Sequence, residues 1–217
     1  MNVLGNGLAG AQVLLATNNA KKLKELRRIT AEQGLGIEIL SLADVDPYPE
    51  PPETEWTFEG NALIKAHAGA ERSGLVTLAD DSGLCVDALN QMPGVRSARW
   101  NGPAHDDQAN LDLVLRQVDD VPDALRGARF VAAVALVTPD GQEFTTRGEM
   151  PGRLAHAPRG KNGFGYDPIF IADDQEVSAD AEPLTTAEMS SEQKDAISHR
   201  GRALRAMMPK LREVLKG

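Results

Sequence analysis

The stretch from Gln12 to Leu40 constrains this chain most, because its hydrophobic period changes twice within it. Gln12-Val-Leu-Leu-Ala16 is an apolar run of strand length. It passes through Thr17-Asn18-Asn19 into Lys21–Gln33, where Leu23, Leu26 and Ile29 recur at helical spacing. Gly34 and Gly36 end that helix, and Ile37–Leu40 reads as a second strand. A strand, a helix and a strand in so short a span commit the chain to an α/β architecture, in which helices cover a sheet.

The rest of the chain continues the alternation. Asp46–Pro52 is rich in proline and acid and reads as loop. A second helix is expected over Phe58–Arg72, with Ala62, Lys65, Ala66 and Gly69 giving close packing. Val76–Ala79 reads as a strand, Asp80-Asp81-Ser82-Gly83 as a turn at its end, and Leu84–Leu89 as another short strand. Leu111, Val114 and Leu115 mark a helix over Asp107–Gln117. Arg129–Val137 and Glu143–Gly148 are strands joined by the hairpin signal Pro139-Asp140-Gly141. Pro151–Asp167 reads as a loop rich in glycine and cations, and Ala172–Ala187 as an acidic, mobile segment. A closing helix over Glu192–Leu215 is expected to be interrupted or redirected near Gly201 and Pro209. There are no repeats and no interdomain linker. The expected organisation is a single domain over 12–217, preceded by a flexible extension over 1–11.

Charge and composition narrow the function. A formal net charge of −9 argues against a general nucleic-acid-binding protein, which needs a basic face. It leaves room for a small phosphorylated ligand held by a few local cations and a metal. The one cysteine, Cys85, cannot form an internal disulfide and sits in Gly83-Leu84-Cys85-Val86, where a buried core role is expected. Met1–Gly10 has no basic residue and no long apolar run, so it does not read as a signal peptide, and no stretch approaches a transmembrane helix. Cytoplasmic location is the resulting expectation.

Four segments carry candidate chemistry. Thr17-Asn18-Asn19-Ala20-Lys21-Lys22 lies between a strand and a helix N-terminus, where unpaired N–H groups and the dipole favour anions. The lysines can add charge for a triphosphate, or Thr17 or Asn19 can simply cap the helix. Asp80-Asp81-Ser82-Gly83 offers hard oxygen ligands suited to Mg²⁺ and to positioning a water, or an acidic turn. Gly163-Phe164-Gly165-Tyr166-Asp167-Pro168 combines a glycine backbone with two rings, either of which could stack on a purine. Lys194 and Ser198-His199-Arg200 can donate hydrogen bonds to a base carbonyl, or form a solvated helix start.

In this order, these segments closely resemble the inosine triphosphatase family, the non-canonical purine nucleoside-triphosphate pyrophosphatases. The matching blocks are Leu15–Lys22 with Glu25, Thr57–Ala66, Ala79–Leu84, Pro93–Arg99, Gly163–Pro168, and Lys194 with Ile197–Gly201. The resemblance spans about residues 12 to 215, and the ordered set is far more specific than any single block. It implies an α/β fold with a long twisted mixed β-sheet, flanking helices and two lobes around a central nucleotide-binding cleft. It also implies a Mg²⁺-dependent, homodimeric, house-cleaning hydrolase that converts ITP, dITP or XTP to the monophosphate and pyrophosphate. No nucleic-acid or membrane partner is implied.

Carried over by motif position, Asp81 is the expected proton acceptor and a metal ligand, with Glu53 as its metal partner. Thr17, Asn18, Asn19, Ala20, Lys21 and Lys22 would hold phosphates, Lys65 would assist, and Ser82 would touch the substrate. Phe164, Gly165, Tyr166, Asp167, Lys194, His199 and Arg200 would surround the base. The chain departs from the family pattern in its N-terminal residues and in the longer, more charged stretch Asp173–Pro183. Two alternatives keep the scaffold: a pyrimidine or modified-base pyrophosphatase like the Maf-like proteins, and a non-catalytic nucleotide sensor.

Overall fold

A computed structural model describes residues 8, 10–176 and 181–216. Most of the extension expected over 1–11, and the part of the expected mobile segment at 177–180, lie outside the described residues. The elements are β1 (Gln12–Leu15), α1 (Ala20–Glu32), β2 (Glu38–Leu40), α2 (Phe58–Ser73), β3 (Val76–Val86) and α3 (Asp107–Gln117). They are followed by β4 (Gly127–Val137), β5 (Glu143–Leu154), β6 (Phe170–Ala172), α4 (Ser191–Ile197) and α5 (His199–Val214). The strands form one six-stranded sheet in the order β2-β1-β3-β4-β5-β6. β1 pairs parallel with both β2 and β3, whereas β6 pairs antiparallel with β5, so the sheet is mixed.

The chain divides into two compact units. Unit 1 comprises residues 1–81, 133–147 and 201–217, and unit 2 comprises 82–132 and 148–200. In unit 1, α2 lays Ala62, Ala66 and Ala70 against Ala79, Ala135 and Val137. These alanines recur every fourth residue, so they line one helix face and let it approach the sheet closely. Gly69 continues that face, since a Cβ there would stand 2.6 Å from Thr77 Cγ2. α5 is anchored in the same unit by Thr146 Oγ1, which donates to Ala203 O at 2.8 Å. Its apolar stripe buries Ala203, Leu204, Met207, Met208 and Leu211. In unit 2, Leu84 and Val86 join Leu111, Val114, Met150, Leu154, Tyr166 and Phe170 in a separate core.

Three expectations are corrected. Asp80-Asp81-Ser82-Gly83 is not a turn, because β3 runs unbroken through it from Val76 to Val86. Gly83 is needed there for space: a Cβ would lie 2.4 Å from both Gly94 O and Ser97 Oγ. The strand expected to stop at Gly148 continues to Leu154, through Pro151 and Gly152. Gly152 permits this because any Cβ would meet Ile171 O of β6 at 2.2 Å. The closing helix breaks at Ser198, between α4 and α5, and then continues through Gly201 and Pro209. Cys85 is buried, as its apolar surroundings predict.

Candidate active site

Unit 1 holds the anionic and cationic side chains expected to handle phosphates. Asn19 caps α1: its side chain accepts from the Lys21 and Lys22 backbone N–H groups at 2.9 and 3.3 Å. Thr17 Oγ1 in turn accepts from Asn19 N at 3.2 Å, which fixes the approach to the helix. Asn18, Asn19, Ala20 and Lys21 are exposed, while Lys22 turns back and its ammonium meets Asp80 at 2.6 Å. Only part of the capping alternative therefore holds, because Lys22 is tied to an acid rather than solvated.

The strand through Asp80 and Asp81 explains how adjacent carboxylates coexist. Successive side chains leave a strand in opposite directions. Asp80 goes to Lys22 on α1, and Asp81 goes to α2, where Asn61 Nδ2 donates to it at 3.2 Å. Lys65, one helical turn beyond Asn61, places its ammonium 3.6 Å from Asp81 and 2.5 Å from Glu53. Burial alone would lower the Lys65 pKa and is the largest single influence. Asp81, Glu53 and Asp80 together outweigh it and hold the ammonium above its ordinary value. The Lys65 side chain, 13% exposed, stays charged and joins two carboxylates supplied by different segments.

This geometry bears on a metal. Among the described residues no group of three or more His, Cys, Asp or Glu side chains forms a metal cage. Mg²⁺, however, is commonly held by only one or two carboxylates, completed by substrate phosphates and water. Glu53 and Asp81 already converge on one positive group, so the donor set fits such a partial site.

Unit 2 holds the groups expected to face a base. Gly163 has φ of +79°, and a Cβ there would collide with Asp167 Oδ2. Asp167 is 2% exposed and organises the loop from within. Its Oδ2 accepts from Phe164 N at 2.9 Å and from the Lys194 ammonium, while Oδ1 accepts from Thr186 Oγ1 at 2.8 Å. The two loop rings separate sharply. Phe164 is 61% exposed, with Lys194 Nζ 5.5 Å from its centroid. Tyr166 is buried in the core, and its hydroxyl donates to Ser97 O at 2.8 Å. Only Phe164 therefore presents a free ring face. Gly165 N donates to Asp107 at 3.0 Å, which ties the loop to α3. His199 stacks on Phe130 at 5.2 Å, Arg200 is half-buried at the start of α5, and Ser82 is half-buried in β3.

Asn61 and Thr186 were not singled out from sequence, and neither was the pairing of Asp80 with Lys22. Asn61 could have been found: it lies four residues before Lys65, on the same face of α2. Thr186 had no such signal, because it lies in a coil segment that reads only as acidic loop. No helix among the described residues is long and apolar enough to cross a membrane.

The model of the Ham1 family matches residues 13–210. The dITP/XTP pyrophosphatase of Nocardia farcinica is 56% identical over 202 residues, covering 93% of this chain and 95% of the relative. That of Cutibacterium acnes is 54% identical over 207 residues, covering 95% and 99%. Among solved structures, the dITP/XTP pyrophosphatase from Mycobacterium abscessus superposes with a TM-score of 0.75 at 52% identity, over 91% of this chain and 99% of that one. A HAM1 protein from Coxiella burnetii gives 0.82 at 37% identity, over 94% and 99%.

Proposed function

The chain belongs to the Ham1 family, and from that premise we propose that it hydrolyses non-canonical purine nucleoside triphosphates, dITP, ITP and XTP, to the monophosphate and pyrophosphate. The observation that carries the chemistry is the Lys65 ammonium, held between Glu53 and Asp81 at 2.5 and 3.6 Å. Two carboxylates that share one cation suit a reaction whose substrate brings several negative charges and a divalent ion.

Phosphoanhydride hydrolysis asks for positioning and charge neutralisation more than for covalent help. Asp81 and Glu53 would hold Mg²⁺, which when bound neutralises phosphate charge and polarises the bond to be cleaved. Asp81 orients the attacking water and accepts its proton. Lys65 adds positive charge beside it, and Lys22, aimed by Asp80, meets the phosphates. The exposed residues Asn18–Lys21 at the α1 N-terminus, with Thr17 before them, bind further phosphate oxygens, favoured by the positive end of the helix. Ser82 contacts the substrate next to Asp81.

For the base, Phe164 offers its exposed ring for stacking. Lys194, aimed by Asp167, and Arg200 with His199 supply donors to a C6 carbonyl. An adenine amine at that place leaves those donors unpaired, and such mismatches discriminate by factors of about 10⁴.

The test is to incubate the purified protein with Mg²⁺ and, separately, ITP, dITP, XTP, GTP and ATP, and to resolve the products. Inosine monophosphate plus pyrophosphate, with ATP and GTP nearly untouched, is the expected result. Orthophosphate plus a diphosphate means that the other phosphoanhydride bond is cleaved and refutes the proposed reaction. The homodimer implied by the resemblance is checked in the same preparation by light scattering.

A further inference from the structure

We propose that Asn61 is a positioning residue that sets the aim of Asp81 and the seat of the Glu53 loop with a single side-chain amide. The inference rests on the functional reading above. Asn61 lies in the first turn of α2 and is completely buried. Its Nδ2 donates to Asp81 Oδ2 at 3.2 Å, and its Oδ1 accepts from Glu55 N at 3.0 Å. A backbone N–H can only donate and an ionised carboxylate can only accept, so one orientation of the amide satisfies both neighbours.

The loop is pressed onto the helix at the same point. Thr57 caps α2 by accepting from Gly60 N at 3.1 Å. A Cβ on Gly60 would stand 2.6 Å from Glu55 Cβ, so only glycine admits the loop this close. Glu53 lies two residues before the tethered Glu55, and Lys65 lies four residues after Asn61 on the same helix face. The amide therefore ties together the strand that carries Asp81, the loop that carries Glu53 and the helix that carries Lys65. Asn61 touches neither phosphate nor metal in this scheme, and it acts through the two carboxylates.

The test compares the full chain with Asn61→Asp and Asn61→Leu, using Mn²⁺ as a spectroscopically visible substitute for Mg²⁺. Ionised, the Asn61→Asp side chain can still accept from Glu55 N but cannot donate to Asp81, so it separates loop seating from carboxylate aim. The expected result for Asn61→Leu is Mn²⁺ binding without nucleotide weakened about 10- to 100-fold, the range for lost partners of metal ligands. For Asn61→Asp the expectation is an unfolding midpoint below that of the parent chain, because a second carboxylate is buried against Asp81, with kcat on dITP per folded protein lowered about 10-fold or more and KM changed little. If Asn61→Leu does not fold, Asn61→Asp decides.

An Asn61→Asp protein that turns over at the parent rate overturns the proposal. So does a rate loss that only follows the fraction unfolded, with Mn²⁺ affinity of the folded variants unchanged. A parent chain that binds Mn²⁺ but hydrolyses no inosine or xanthine triphosphate defeats the functional reading instead, and the Mn²⁺ comparison still decides the role of Asn61.

Discussion

Replacing Lys65 by Met removes the ammonium between Glu53 and Asp81 while keeping most of the side-chain volume. At an effective dielectric of about 20, unit charges at the 3.6 Å separation of Lys65 and Asp81 attract by about 4–5 kcal/mol before desolvation is subtracted. Removing one partner of a buried pair leaves the other charge poorly compensated and costs about 3–5 kcal/mol. The Lys65, Asp81 and Glu53 side chains are 13%, 10% and 25% exposed, so water screens the loss only partly. For a chain of this length about 2–4 °C is lost per kcal/mol, which gives a fall of roughly 6–20 °C in unfolding midpoint.

The assay is thermal unfolding by circular dichroism, first in chelator and then in millimolar Mg²⁺. The variant should lose most in chelator and recover more than the parent chain when Mg²⁺ is added, because a cation replaces the missing ammonium. A variant that melts within a degree or two of the parent in chelator would falsify the idea that Lys65 holds the two carboxylates together. Equal Mg²⁺ stabilisation of variant and parent would remove the argument that these carboxylates form a metal seat.

Asp81→Asn should fold normally but form no detectable monophosphate from dITP, and full activity in that variant defeats the proton-acceptor role. Gly83→Ala drives a methyl into Gly94 O and Ser97 Oγ at 2.4 Å. It should cost about 1–3 kcal/mol in urea unfolding, as overpacking does, and a neutral effect would contradict the close approach of β3 to residues 94–97. Burial, with Asp107 adding to it, raises the Tyr166 pKa far above its ordinary value. The neutral phenol is the form the fold holds, so its contribution is fully present below the ordinary tyrosine pKa of about 10. That contribution is lost as pH rises through the raised native value. Burial also raises Tyr48, with Glu50 adding to it. Absorbance at the phenolate band should therefore show neither tyrosine half-ionised at pH of about 10, and Tyr166 ionising only as near-ultraviolet dichroism collapses. Two ordinary titrations would contradict this.

Periodicity carried much of the fold. β1, α1, β2 and α3 are legible because each shows one hydrophobic period and a clean boundary, and α3 spans the residues its pattern predicts. The errors came where one residue type serves two purposes. Glycine close to aspartate reads as a turn, but Gly83 is in β3 because of Gly94 and Ser97, eleven and fourteen residues away in sequence, which no local pattern reports. Gly152 misleads for the same reason, since its neighbour is Ile171 of β6. Pro209 and Gly201 read as helix breakers, yet the tertiary packing of α5 overrides both.

The candidate site was legible as a set of segments and not as a set of contacts. Both loop rings looked equal in sequence, and only burial separates Phe164 from Tyr166. Asp167 read as a substrate contact, whereas its carboxylate faces inward to Phe164 N, Thr186 and Lys194. Which acid takes which lysine follows from the strand through Asp80 and Asp81, which the turn reading had removed.

The division of the chain has a consequence for its inheritance. The polypeptide passes from one unit to the other after Asp81, after Ala132, after Arg147 and after Arg200. Neither unit is a contiguous stretch of gene, so recombination at a single point cannot pass either one to another protein as a cassette. A message that stops early, at any codon before Gly201, also lacks the residues of α5 that complete unit 1. Exchange of either unit between proteins therefore needs more than one crossover.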